Sequence, residues 1–144
     1  MNLQRVAWVG VVVCVAMAGR LSVAADADSP PVVTKVSSFD GTEIYCESRG
    51  DGETALLFLH GWCGTHDYWK HQFDEFAKDY RVVAIDQAGH GASGKDRKEW
   101  TIDGLAADVA AVVEELKLKR VILVGHSMGG PVSMAAAPKL PGTV

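Results

Sequence analysis

The chain has 144 residues, of which 48% are hydrophobic and 22% charged. That length and composition fit one globular domain and exclude an intrinsically disordered chain. A formal net charge of −4 and a pI near 5.7 leave no basic footprint, so nucleic acid is not an expected partner.

The N-terminus reads as a targeting segment. Arg5 supplies a positive start, residues 6–19 form an almost unbroken apolar run, and Val23-Ala24-Ala25 offers small side chains to a peptidase. The run is shorter than the ~20 residues that cross a bilayer as a helix. Residues 1–25 are therefore expected to be a secretory signal peptide cleaved near Ala25, in preference to a short membrane anchor or a buried helix. The mature protein is then exported, periplasmic or secreted, and has no stable membrane span. Export leaves Cys46 and Cys63, for which an oxidising compartment permits a disulfide without requiring one. Residues 26–31 (DADSPP) are a polar, Pro-rich linker, and residues 32–144 form the domain.

Two β-rich runs, 32–39 and 42–48, flank Asp40-Gly41, a strong hairpin signal, and Gly50-Asp51-Gly52 ends the hairpin. Residues 55–59 (ALLFL) are continuously apolar, as in a strand buried on both faces. They run into His60-Gly61-Trp62-Cys63-Gly64. Tyr68, Trp69, Phe73 and Phe76 recur at helical spacing and predict a helix over 67–78. Residues 81–86 (RVVAID) are a second buried strand, followed by the Gly-rich QAGHGASG. Residues 95–99 mix both charge signs and read as a solvated loop. Thr101 is the expected N-cap of a helix with an apolar stripe from Ile102 to Leu116. A last strand, 121–124, turns into an alanine-rich helix that stops near Pro138. The order of hairpin, strand, helix, strand, helix, strand, helix predicts an α/β fold: a mostly parallel sheet with an N-terminal β-hairpin, right-handed crossovers and helices on both faces.

The chemistry concentrates where that last strand ends. In Gly125-His126-Ser127-Met128-Gly129, Ser127 occupies the apex of a sharp strand-to-helix turn. Gly125 and Gly129 leave room for strand and helix to approach it. A serine held there presents its hydroxyl to solvent, and the Met128 N–H points from a helix N-terminus toward charge developing on an attacked carbonyl. The bland alternative is an ordinary turn in some other α/β protein. Gly89-His90-Gly91-Ala92-Ser93-Gly94 also fits G-x-G-x-x-G, but no helix opens at its glycines and Glu114, the acid about 20 residues on, lies inside a helix. A dinucleotide site is not expected.

Residues 125–129 resemble the nucleophile elbow of the α/β-hydrolase family. His60-Gly61 after a buried strand resembles that family's oxyanion loop, in which the next residue, here Trp62, donates a backbone N–H. Asp86-x-x-Gly89-x-Gly91-x-Ser93 resembles the loop after its fourth strand, where the glycines pack the chain near the elbow; Ala88 departs from the family's usual Arg or Pro. The motifs occur in the family's order and span the chain from about residue 32 to its end. The resemblance implies an α/β-hydrolase fold with Ser127 as nucleophile, Trp62 and Met128 as oxyanion donors, and His60 as a structural residue. It implies acyl transfer on a small ester or related substrate, with no cofactor and no metal. A serine at the nucleophile position makes the Asp-dependent haloalkane dehalogenases and epoxide hydrolases poor guides. Esterases, lipases, amidase and iminopeptidase types, carbon–carbon hydrolases and perhydrolase-like enzymes fit better.

In that family the acid and the histidine of the triad follow the serine. Here all 5 histidines precede Ser127, and residues 128–144 contain neither an acid nor a histidine. The expectation is the N-terminal part of a longer exported serine hydrolase, truncated after the elbow helix and inactive by itself. The elbow strand, central in the family's sheet, would then be an uncovered apolar edge. Competing expectations are a non-catalytic binding module that keeps the elbow for packing, and a short protein that pairs its open edge with a partner.

Overall fold

The computed structural model describes residues 29–144; the apolar N-terminal run, its cleavage site and the start of the linker lie outside the described residues. Strands β1 (Val32–Ser37) and β2 (Glu43–Arg49) pair antiparallel, with Val32 opposite Ser48. Gly41 turns the chain at φ +84, where a side chain would be strained. The Asp40 carboxylate accepts the Thr42 N–H at 3.0 Å.

Strands β3 (Thr54–Leu59), β4 (Arg81–Ile85) and β5 (Arg120–Gly125) run parallel to one another. The 5-stranded sheet has the order β1-β2-β4-β3-β5, and β2 joins β4 antiparallel, so the sheet is mixed. A 3-10 turn at His66–Trp69 leads into α1 (Lys70–Phe76). The 3-10 turn begins one residue before the expected helix, with the Tyr68 N–H bonded to the Thr65 carbonyl, the α-helix itself starts only at Lys70, and it ends sooner than expected because the Asp79 and Tyr80 amides both close on Phe76. Helix α2 (Ile102–Glu115) is capped by the Thr101 hydroxyl, which accepts the Gly104 N–H at 3.0 Å. Helix α3 (Gly129–Ala136) gives way to a 3-10 turn at Ala137–Lys139, where Pro138 lacks the N–H that an α-helix would need.

Alternation along β3 and β4 buries both faces. Leu57, Leu59, Val83 and Ile85 pack against Val109, Val112 and Val132 of α2 and α3, while Leu56, Phe58, Val82 and Ala84 pack against Trp69 and Phe73. Each such side chain contributes about 1.5–3 kcal/mol on leaving water. Among the described residues β5 is an edge strand. Its Val121 N–H donates to the Thr143 carbonyl at 2.7 Å, and Ile122 is 50% exposed because α1 covers β3 and β4 but stops short of β5. Cys46 lies buried in the core and Cys63 is exposed on a turn, both as free thiols.

One expected solvated stretch is corrected. Within residues 95–99, Arg97 is buried: its guanidinium pairs with Asp108 of α2 at 2.6 and 2.8 Å and with Asp40 at 2.8 Å, and it lies over the Phe39 ring. Ser38 donates to the same Asp108 carboxylate. A local count of charges cannot reveal partners that lie on a distant helix and on the hairpin.

Candidate active site

The elbow is built by steric necessity. The His126 N–H donates to the Leu59 carbonyl at 3.0 Å, extending the ladder one residue beyond β5, so the reversal falls on Ser127 at φ +51. Such backbone costs of order 1–3 kcal/mol for a non-glycine residue. The surroundings enforce it: a Cβ on Gly125 would run into the Gly129 carbonyl, and one on Gly129 into the Leu59 carbonyl. The Gly129 and Gly130 amides bond back to the carbonyls of His126 and Ser127, each at 2.9 Å, and begin α3. The Met128 amide stays outside that ladder, at the positive end of the helix. Ser127 itself is exposed and Met128 half-buried.

Beyond β3, His60 is fully buried. The Gly61 carbonyl accepts from His60 Nδ1 at 2.7 Å and from the Gly64 N–H at 3.1 Å, closing a turn in which Cys63 has φ +57. Trp62 and Cys63 are the middle residues of that turn, whose amides the turn does not use. His60 Nε2 accepts the Gln87 backbone N–H at 3.0 Å, and the Gln87 side-chain amide donates to the His60 carbonyl. These partners assign the ring proton to Nδ1 and leave His60 neutral. Burial holds its pKa below the ordinary histidine value, outweighing the hydrogen bond to Gly61 that favours the proton.

The two loops meet at Gly61. A Cβ built there would stand 2.9 Å from His126 Nδ1 and 3.1 Å from Ser127 Cβ. Trp62 follows Gly61 and Met128 follows Ser127, so the three residues singled out for chemistry converge where β3 and β5 end. Trp62 is 72% exposed, its indole edge-on to His90 at 5.2 Å. The His126 ring stacks on Tyr68, with centroids 4.6 Å apart. In the sequence Tyr68 is legible only as an aromatic at helical spacing, and Gln87 only as the first residue of a Gly-rich loop.

The loop after β4 is organised around Asp86. Asp86 is buried and accepts the His66 N–H at 2.7 Å, His66 Nδ1 at 2.8 Å and the Ala92 N–H at 2.7 Å. Burial pushes its pKa up, and those bonds together outweigh burial and hold it below the usual carboxylate value. A side chain on Gly91 would overlap the Asp86 carboxylate, and one on Gly89 would meet the Trp100 ring. The glycines thus pack on Asp86 and Trp100, and at Gly91 the Asp86 carboxylate occupies the space a side chain would need. The Ser93 hydroxyl donates to the Asp86 carbonyl and accepts the Tyr45 N–H at 2.8 Å, tying the loop to β2.

The histidines are committed elsewhere: His60 to Gly61 and Gln87, His66 to Asp86, His90 to the Ala88 carbonyl, His126 to Tyr68, while His71 is exposed on α1. Among the described residues no side chain hydrogen-bonds the Ser127 hydroxyl, and no helix is long and apolar enough to cross a membrane. A cleft of about 780 Å³ opens at the opposite end of the sheet among Arg49, Arg81, Lys117, Lys119 and Arg120, away from every motif above. Its size does not make it the reactive centre.

Comparison with known proteins places this geometry. The alpha/beta hydrolase fold family matches residues 54–144. A non-heme haloperoxidase of Rhodococcus erythropolis is 43% identical over 96 residues, covering 66% of this chain and 35% of that protein. A bifunctional esterase/perhydrolase of Acinetobacter calcoaceticus is 40% identical over 97 residues, again 66% of this chain and 35% of the relative. The esterase structure from Exiguobacterium antarcticum superposes with a TM-score of 0.69 at 31% identity, over 73% of this chain and 39% of that one. The chain thus spans about a third of the length of the curated relatives it matches. The strained serine between two glycines, the loop folded against it and the match across β3 to α3 agree: this chain belongs to the alpha/beta hydrolase fold family.

Proposed function

We propose that Ser127 is the nucleophile of an exported serine hydrolase that cleaves an ester or related acyl substrate. The hydroxyl oxygen attacks the acyl carbon, the carbonyl oxygen takes up negative charge between the Trp62 and Met128 amides, the alcohol leaves with a proton, and water releases the acyl-enzyme. Each fixed donor is worth about 3 kcal/mol of barrier. The observation that supports this reading is the closeness of Gly61 to the elbow, where a Cβ built on Gly61 would stand 3.1 Å from Ser127 Cβ.

We assign no histidine among the described residues as the general base that such a reaction requires. Supporting this, no side chain among the described residues bonds Ser127, and the chain covers about a third of its relatives. Without a base Ser127 is an ordinary alcohol, and the rate falls on the order of a million-fold. Residues 1–25 direct export and are removed, and the substrate is a small molecule.

The test is hydrolysis of p-nitrophenyl acetate by the 144-residue chain and by the same chain continued through its reading frame. The continued protein is expected to turn over and to lose that activity on Ser127→Ala, with the shorter chain at background. Equal activity before and after the substitution overturns the assignment.

A further inference from the structure

We infer that Gln87 is a positioning residue that fixes the Trp62 amide at Ser127, an inference that rests on the acyl-transfer reading of that amide. Gln87 begins the loop after β4, is 1% exposed, and touches neither Ser127 nor Trp62 by any hydrogen bond described above. It grips His60 twice. Its backbone N–H reaches the ring at Nε2, and its side-chain amide reaches the His60 carbonyl.

The double grip fixes more than a ring. With Nε2 engaged as an acceptor, the ring proton must sit on Nδ1, where it bonds the Gly61 carbonyl. That carbonyl also closes the turn to Gly64. The order of support therefore runs from β4 through Gln87 and His60 to the Gly61 carbonyl, and from there to the orientation of the Gly61–Trp62 peptide, which carries the Trp62 N–H. A carbonyl held by two donors cannot rotate, and the amide of the same peptide plane cannot rotate either. The charged and titratable groups that act on His60 are His90 from the same loop as Gln87, Asp86 from the end of β4, and His66 from the turn before α1.

The Gln87 side chain is an expensive way to fill this space. Its Oε1 is buried without a hydrogen-bond partner, whereas an apolar side chain of equal length would leave no orphaned acceptor. The donated hydrogen bond is thus the part of the amide that the site uses.

The test is amide hydrogen exchange in the full chain carrying Gln87→Met, which keeps the size and the backbone N–H and removes only the side-chain donor. The Gly64 amide, which reports closure of the turn, is expected to exchange about tenfold faster, the loss of one ordinary buried hydrogen bond. The Leu57 and Val83 amides, inside β3 and β4, are expected to keep their rates. Unchanged exchange at Gly64 overturns the inference, and so does equal acceleration of all three, which marks a general contribution to stability. Gln87→Glu gives a second reading that does not depend on how the methionine variant folds. Its carboxyl can donate to the His60 carbonyl only when protonated, so Gly64 protection, corrected for the intrinsic rate, is expected to be higher near about pH 6 than about pH 8. Protection independent of pH contradicts it. Because the readout is loop order and not turnover, a failure of Ser127 as nucleophile leaves this result legible.

Discussion

Gly129 faces the carbonyl of Leu59 with no room for a side chain between them. A Cβ there would overlap the Leu59 oxygen and stand 2.8 Å from its carbonyl carbon and 3.0 Å from the His60 oxygen. The start of α3 is thereby pressed onto the end of β3, the segment that continues into the Gly61–Gly64 turn.

Adjacent glycines should consequently respond in opposite directions. Gly129→Ala must displace backbone and is expected to destabilise the fold by about 3 kcal/mol or more, beyond ordinary overpacking. Gly130→Ala meets nothing within 4 Å and is expected to be neutral or to stabilise by about 0.5–1 kcal/mol, since alanine suits a helix better than glycine. Thermal unfolding of both variants checks the pair, and equal effects would mean that the elbow is not wedged.

Acid should loosen the His60 loop. Burial lowers the folded pKa of His60 below the ordinary histidine value of 6.5, so the unfolded chain binds the proton first. Its contribution is therefore complete above pH 6.5 and is lost as pH falls through the lowered folded value, with a slope of at most about 1.4 kcal/mol per pH unit. Asp86 is also depressed, from 3.8, and its contribution is lost only at lower pH. Urea unfolding across this range should show the first decline, and His60→Gln should remove it. A decline that survives the substitution assigns the effect to another group.

The buried Arg97 cluster should be intolerant of partial removal. The side chains of Arg97 and Asp108 are 2% and 1% exposed, so Arg97→Met leaves Asp108 buried and unpaired, at an expected cost of about 3–5 kcal/mol. Adding Asp108→Leu to that variant should recover part of the loss. Denaturant midpoints of the single and double variants decide it, and a strictly additive double variant would contradict the pairing.

The open edge of β5 should drive self-association. Ile122 is half exposed on the side of the sheet that α1 leaves uncovered, and the alternation that turns the Val121 amide outward turns those of Leu123 and Gly125 outward too. Size-exclusion chromatography of the chain should show concentration-dependent association, reduced by Ile122→Lys. A monomer at every concentration argues that the edge is already satisfied.

What the sequence made legible follows from physical constraint. Gly125 and Gly129 are required by backbone contacts that admit no side chain, and Gly61 is hemmed in by the His126 and Ser127 side chains, so a short local pattern is enough to reveal them. The continuous apolar runs of β3 and β4 announce burial on both faces for the same reason. Arg97 and Gln87 escaped because their significance lies in partners far along the chain: Gln87 is 27 residues from His60, and Arg97 is 57 from Asp40. Nothing in either local pattern separates a buried brace from a solvated loop. Tyr68 was visible as an aromatic at helical spacing, but its stacking on His126 depends on how the turn before α1 crosses the end of β5. The glycines of the loop after β4 were recognisable as a pattern, but only the fold shows the Asp86 carboxylate beside Gly91 and the Trp100 ring beside Gly89.

The central claim is that one hydroxyl lies between two main-chain donors. Its most direct test is the reaction of the protein, continued past residue 144, with a p-nitrophenyl phosphonate, followed by peptide mass mapping and amide ¹⁵N–¹H spectra. The predicted result is a single adduct on Ser127, with the Trp62 and Met128 amide resonances moved downfield by the phosphonyl oxygen. An adduct on another residue, or one on Ser127 that leaves both amides unmoved, would contradict it.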